Sequence, residues 1–222
     1  MPTSTHGRTP TRWVGLTPDD RRAERRALLV DAAFDLLGTE GSAGTTVRAI
    51  CKVARLNPRY FYESFEDLDE LLVAVYDRVV EELGTEARAA IEAAGDDARA
   101  QVRAGLASIV DFVAADPRRG RVLYVEALDN ERLNRRRIET GHALVGLVEQ
   151  AGIQRHGPPR KGEHIGRIGA AIVVGGASEL IVAWLEGRID ASKDQLIDDG
   201  TELLISIGER AATVAAGRAR KR

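Results

Sequence analysis

The sequence predicts an all-α protein of about nine helices, with a small N-terminal helix-turn-helix unit ahead of a larger helical body. Three observations carry this. Apolar residues recur at the i, i+3, i+4, i+7 spacing of amphipathic helices almost to the end of the chain, with no strand-like alternation. Ala, Leu, Val, Glu and Arg are abundant, while charged residues make up 30% and aromatics 5% of the 222 residues, a balance that favours helix over sheet. The stretch TTVRAICKVARLNPRYFYESF, residues 45–65, reads as two short helices around a tight turn.

Residues 1–16 are polar and contain Pro2, Gly7 and Pro10, so a flexible arm is expected there. Thr17-Pro18-Asp19-Asp20 is a strong helix start, with Thr17 as N-cap, Pro18 in the first position and Asp20 as the capping-box acid. This first helix is expected to run to about Gly38, with Leu29, Ala32, Ala33, Leu36 and Leu37 inward. Residues 38–44 read as a glycine-rich turn.

Thr46 can cap the second helix, whose buried face is Val47, Ile50, Cys51 and Ala54. Asn57 precedes Pro58 and so avoids helical geometry, which ends the turn Arg55-Leu56-Asn57. Pro58 opens the third helix, with Leu56, Phe61 and Phe65 inward and Arg59, Tyr60, Glu63 and Ser64 outward. Asp67 caps a fourth helix carrying the stripe Leu71, Leu72, Val75, Tyr76 and Val79. Beyond Gly84, further helices are expected at about 96–115, 118–128, 130–151, 162–187 and 192–216. Asp116-Pro117 and Gly157-Pro158-Pro159 are the breaks, and 218–222 forms a basic tail expected to fray.

The net charge is −2, which excludes a polybasic nucleic-acid binder. The charge is uneven: residues 1–62 hold ten Lys/Arg against six Asp/Glu, and the rest holds 22 against 28. A basic head on an acidic body suits one part meeting phosphates and another that does not. Cys51 is the single cysteine, so no intrachain disulfide can form, and a small core residue is its simplest reading. No apolar leader opens the chain. The run from Ile168 to Trp184 is interrupted by glycines, Ser178 and Glu179 and is read as too short and too polar for a bilayer, which leads to the expectation of a cytoplasmic protein without membrane contact.

Several residues carry a family resemblance: Asp31-Ala32-Ala33 in the first helix, Gly41 closing it, Thr46-Val47-Arg48-Ala49-Ile50 opening the second, and Tyr62, Phe65 and Leu71 after it. With them, the stretch from about Arg25 to Asp77 resembles the DNA-binding domain of the TetR family of bacterial transcriptional regulators. The resemblance implies a helix-turn-helix domain at 17–66 and a domain at 67–217 that binds an effector and dimerises. The function it implies is a sequence-specific, dimeric regulator, a repressor released from a palindromic operator by a small molecule, with no cofactor.

A recognition helix reads the major groove from its N-terminal residues, here Asn57, Arg59 and Tyr60. Arg59 can donate to guanine, Asn57 can pair with adenine, and Tyr60 can touch a thymine methyl. Thr46 at a helix N-terminus, Arg48 and Lys52 one turn apart, and Tyr62 (the family's phosphate-bonding tyrosine) are the candidate phosphate contacts. This chain departs from the family pattern at Arg55, where glycine is usual in the turn, and at Leu68, where a phosphate-gripping lysine is usual. Arg8 and Arg12 of the arm could compensate from the minor groove.

The helices expected at 162–187 and 192–216 have wide apolar faces. Ile172, Val173, Gly176, Leu180, Ile181 and Trp184 lie on the first, and Leu196, Leu203, Leu204 and Ile207 on the second; together they suggest a four-helix homodimer interface. Intrachain core could account for part of these faces. Candidate linings for an effector pocket are Tyr76, Phe112, Tyr124, Leu144 and Trp184, with Arg103, Glu126 and His142 as polar partners. This is a sparse polar set that suits a mostly apolar molecule.

Rival readings are a helical ligand-binding adaptor without DNA binding, motivated by Leu68, and an all-helical enzyme. No metal-binding or nucleophile motif joins His6, His142, His156 and His164, and no residue is singled out as catalytic or as a metal ligand. His156 and His164, flanking the proline loop, read most simply as solvated.

Overall fold

Over residues 17–220, the part that the computed structural model describes, the chain folds into nine helices with short links. They are α1 (Pro18–Gly44), α2 (Val47–Ala54), α3 (Pro58–Tyr62), α4 (Leu68–Ala93), α5 (Ala98–Ala115), α6 (117–129), α7 (Glu131–His156), α8 (Ile165–Leu185) and α9 (Lys193–Arg220). Within α6, Arg121–Val125 forms a wider π turn. The arm with Arg8 and Arg12 and the last two tail residues lie outside the described residues.

Side-chain caps punctuate the chain where the sequence places them. The Thr17 hydroxyl accepts from the Asp20 N–H at 3.1 Å while the Asp20 carboxylate accepts from the Thr17 N–H at 3.2 Å. Thr46, Asn57, Asp67, Asp97, Asp116 and Asn130 cap the later starts in the same way. One buried apolar cluster runs from α1 through α2–α6 to α9. It includes Leu29, Leu37, Ile50, Phe61, Leu71, Val75, Val110 and Val113, all fully buried. Each such side chain contributes about 1.5–3 kcal/mol by leaving water.

Several expected boundaries are corrected. Gly38 does not stop α1, because it is a contact residue: a Cβ there would fall 2.4 Å from the Arg118 Cβ, so its absence lets α6 lie against α1. The break comes at Gly41, with φ 74°, and a last helical turn follows to Gly44. α4 continues through Gly84 to Ala93 and α7 runs on to His156, since nothing before Gly157 interrupts the helical backbone. The tail is helical as far as Arg220. Ser64 is also not outward, for its hydroxyl oxygen is buried.

α8 is the largest correction. Read as too short and too polar for a bilayer, its 21 residues are in fact long and apolar enough to cross one by length and composition, and 22% of its most apolar stretch is buried in the fold. It packs between α7 and α9, so Ile181 is fully buried while Ile168 and Ile172 are about half exposed. On α9, Leu203 is 68% exposed, whereas Leu196 is core. A Cβ at Gly175 or Gly176 would meet nothing within 4 Å.

The turn between α2 and α3 is closed by a left-handed residue, Arg55, at φ 55° and ψ 39°. The Leu56 N–H reaches the Cys51 carbonyl at 3.0 Å and the Arg55 N–H reaches Lys52 at 3.3 Å, a Schellman ending. Left-handed geometry costs a non-glycine residue about 1–2 kcal/mol, partly offset by the lower unfolded-state entropy of arginine. Arg55→Gly should therefore stabilise the protein by about 0.5–1 kcal/mol. Urea unfolding measures it, and an unchanged or lower midpoint would contradict the strain.

Candidate nucleic-acid interface and effector region

The side chains expected from the sequence to meet DNA sit on two short helices held from behind by α1. Arg48 and Lys52 of α2 are exposed, as are Thr46, Asn57, Arg59 and Tyr62. Thr46 accepts from the Ala49 N–H at 3.2 Å and Asn57 from the Arg59 N–H at 2.9 Å, so both oxygens are engaged as caps. The Arg59 side chain is 83% exposed, with its Nε bonded to Glu63 at 2.9 Å. Tyr62 is 65% exposed, its ring edge-on to Phe61 at 5.2 Å, so its hydroxyl is not part of the core. Tyr60 is half-buried because the Arg25 guanidinium covers its ring at 4.5 Å.

Sequence reasoning passed over the residues that hold this unit. Arg22 donates to the Glu63 carbonyl at 2.6 Å, Arg25 pairs with the Glu63 carboxylate at 3.7 Å, and Arg26 stacks over Phe65 at 4.7 Å. Their signal was the run RRAERR, whose helical spacing turns one basic face of α1 onto the recognition helix. Cys51 is buried as expected, and burial pushes its thiol up, away from reactivity.

The acidic start of α4 also acquires partners. Arg132 donates to the Asp67 carboxylate at 3.1 and 3.2 Å, and the Asn130 amide donates to Asp69 at 2.7 Å. Leu68 between them is partly buried against the core. On the other flank, Glu126 is 4% exposed and accepts from the Ser42 N–H at 2.8 Å, the Ser42 hydroxyl at 2.9 Å and Arg121 at 2.6 Å. Arg121 donates in turn to the Thr39 carbonyl at 3.0 Å. Residues 121–132 thus bond to both flanks of the helix-turn-helix.

The effector candidates separate. Tyr76 is buried on α4 with Tyr124 of α6 close by, and burial together with the Tyr76 phenol pushes the Tyr124 phenol up to about 12. Trp184 is half-buried and donates its indole N–H to the Ala191 carbonyl at 3.0 Å. Phe112 is buried in the core, with the Arg119 guanidinium over its ring at 4.0 Å. Leu144 is 46% exposed and His142 is exposed, because that part of α7 faces outward with Leu147. Arg103 is used at the surface, bonded to Asp198 of α9 at 2.8 Å, and Glu126 is consumed by the contact to Ser42. His156 and His164 are exposed, and among the described residues no three His, Cys, Asp or Glu side chains are grouped to hold a metal.

Residues 29–75 match the family described as bacterial regulatory proteins, tetR family. Among solved structures, the fold is similar to that of a protein from Pseudomonas aeruginosa PAO1 assigned as a transcriptional regulator. That match has 19% identity and a TM-score of 0.69, covering 92% of this chain and 98% of the other. A TetR-like transcriptional regulator from Rhodococcus sp. RHA1 matches with 23% identity and a TM-score of 0.59, over 86% and 97%. The regulator FadR from Bacillus subtilis, solved with stearoyl-CoA, matches with 20% identity and a TM-score of 0.64, over 81% and 97%. At these identities the likeness establishes the fold.

Burial raises the affinity of Glu126 for a proton, but the two Ser42 bonds and Arg121 outweigh it and hold its carboxyl below the usual range. A depressed folded value means stability that is present above the unfolded value, near 4.5, and lost as pH falls through the folded one. Glu126→Gln should cost about 2–4 kcal/mol at pH 7, since it leaves Arg121 without its charged partner. It should also flatten the acid limb of stability. Denaturant titrations at pH 7 and pH 4 measure both, and equal losses at the two pH values would show that the carboxylate charge is not the cause.

Proposed function

Because the N-terminal helices of this chain belong to the tetR family of bacterial regulatory proteins, we propose that the protein is a dimeric, sequence-specific repressor in the cytoplasm, released from a palindromic operator by a small-molecule effector. In this reading it is a regulator and not an enzyme, with DNA binding in 17–66 and effector binding and dimerisation in 67–217. The observation that carries it is the helix-turn-helix itself, with Arg48, Lys52, Arg59 and Tyr62 exposed on two helices that α1 holds in place.

Arg59 is the base reader, trading its bond to Glu63 for a guanine edge, while Thr46, Arg48, Lys52 and Tyr62 set the register on phosphates. Asn57 and Tyr60 support the reading from the start of α3. The uncovered side of α8 and α9 supports dimerisation. A groove of about 560 Å³ there is lined by Ile165, Ile168, Ile172, Leu203, Ile207 and Val214. Exposed apolar surface of this kind on two adjacent helices marks a protein contact. The effector site lies among Tyr76, Tyr124 and Trp184. Its occupancy reaches DNA through α4 and through residues 121–132, which bond to both flanks of the DNA-reading helices. About 1–3 kcal/mol of coupling is enough for release.

Selection from a random DNA pool should return an inverted repeat with half-sites about one helical turn, or a multiple of it, apart. Arg59→Ala should cost about 1–3 kcal/mol at that site and relax one position per half-site, whereas Arg48→Ala should weaken all sequences evenly. A pool without a symmetric site would sink the reading. For the dimer, Ile172→Asp combined with Leu203→Asp should give a monomer in sedimentation, and a persisting dimer would place the interface elsewhere.

A further inference from the structure

We propose that Arg55, the left-handed residue that closes the turn between α2 and α3, is a phosphate contact, and that with Arg48 and Lys52 it forms a basic edge along α2 that follows the backbone of a DNA duplex. This inference rests on the DNA-binding reading above and adds a residue that the contacts assigned there do not include.

The backbone at Arg55 is one that an L side chain adopts at a cost. Its φ is 55° and its ψ 39°, and among the described residues it is the only non-glycine residue with positive φ. Gly41, Gly95, Gly157, Gly162 and Gly187 occupy the other such positions. The turn itself does not require the arginine. Its N–H reaches the Lys52 carbonyl, a bond that glycine makes equally well. Its side chain is exposed and has no hydrogen-bond or ion-pair partner among the described residues. A cation at the end of a helix gains something from the helix dipole, but less than the left-handed backbone costs, and Lys52 already stands in that last turn. A strained conformation that no local contact explains points to function.

The neighbouring side chains indicate which function. From Gly41 to Tyr62 the chain carries Arg48, Lys52, Arg55 and Arg59 and no Asp or Glu. Arg48, Lys52 and Arg55 follow one another at i, i+4 and i+7, the spacing of one helix face. All three are exposed, and among the described residues none holds a carboxylate, a carbonyl or a ring. Arg22, Arg25, Arg26 and Arg59 of the same unit are engaged instead, with Glu63 or Phe65. Three unpaired cations in a row suit a partner whose negative charge also repeats. At 1.5 Å per residue they span about 10 Å. That length matches a few successive phosphates of one strand, about 3.4 Å apart along the duplex axis. Arg55 stands at the end of this edge beside Asn57 and Arg59, so a groove that takes the start of α3 brings its backbone to Arg55.

The test uses the full chain and two duplexes, the operator selected from a random pool and an unrelated sequence of the same length. Fluorescence anisotropy reads affinity over a range of salt. Arg55→Gly removes charge and strain together, Arg55→Asn removes the charge but tolerates the left-handed backbone, and Arg55→Lys keeps the charge. Arg55→Gly and Arg55→Asn should each weaken both duplexes by the same factor, roughly five- to tenfold at low salt, and should lower the slope of log affinity against log salt by about one. Arg55→Lys should keep the wild-type slope. Pool selection repeated with Arg55→Gly should return the same sequence, because phosphates carry no code. Arg55→Gly should thus bind DNA more weakly while resisting urea better, which separates the contact from a role in folding. The inference is overturned if both uncharged variants keep the wild-type affinity and slope, if affinity falls with the slope unchanged, or if the selected sequence changes. A slope lowered by Arg48→Ala but not by the Arg55 variants would remove this contact and leave the DNA-binding reading standing. A wild type that enriches no operator and binds neither duplex would remove both.

Discussion

The carboxylate of Glu126 is the interaction on which the arrangement of the helices depends. Buried in α6, it is satisfied from two directions, by Ser42 at the end of α1 and by Arg121 one turn back on its own helix. Such a group is expensive to bury and cheap only when every lone pair finds a donor, so it fixes the position of whatever supplies the donors. What it fixes is the chain just before α2. Gly41 supplies the backbone geometry and the space this requires, since a Cβ there would fall 2.9 Å from Arg121 and 3.0 Å from Glu126. A few residues on, Asn130 and Arg132 hold the start of α4. The DNA-reading pair is therefore attached at entry and at exit to one short stretch of the helical body.

The arginines divide the labour on the opposite side. Arg22, Arg25 and Arg26 of α1 are spent on Glu63, Tyr60 and Phe65, where they act through stacking and bonding to a carbonyl as much as through charge. That leaves Arg48, Lys52 and Arg59 to give the outer surface its positive character. Glu63 connects the two groups, since it is shared between Arg25 and Arg59. In the proposed reading Arg59 exchanges this partner for a guanine edge, so specificity there is a competition between the Glu63 carboxylate and the base.

Much of this was legible in the sequence, for identifiable reasons. Caps are local: Thr17, Thr46, Asn57 and Asp67 bond within three residues of themselves, and the chain order alone states the contact. The buried faces of α1, α2 and α4 follow from periodicity. Arg55 stands out in the sequence because the resembled family usually has glycine at its place in the turn, and the structure supplies the left-handed backbone that makes this matter. What could not be read depends on distant residues meeting. Gly38 looks like a terminator until Arg118 is known to lie against it, 80 positions away. Glu126 looks like a pocket side chain until Ser42 arrives. On α7, helical spacing finds the inward stripe, but it does not say that the stripe loses its cover beyond Thr140 and leaves Leu144 in solvent. The apolar faces of α8 and α9 divided into core and open surface for the same reason.

The one thiol of the chain lies in the middle of the DNA-reading pair, sealed on the inner face of α2. Being alone, it offers an oxidant no second sulfur to join within the chain, and being enclosed it offers a reagent no approach while the pair is closed. Alkylation of Cys51 has to wait for α2 to lift from α1 and α3. Its rate is thus a clock for the opening of this unit by itself, read at one known atom without any engineered label.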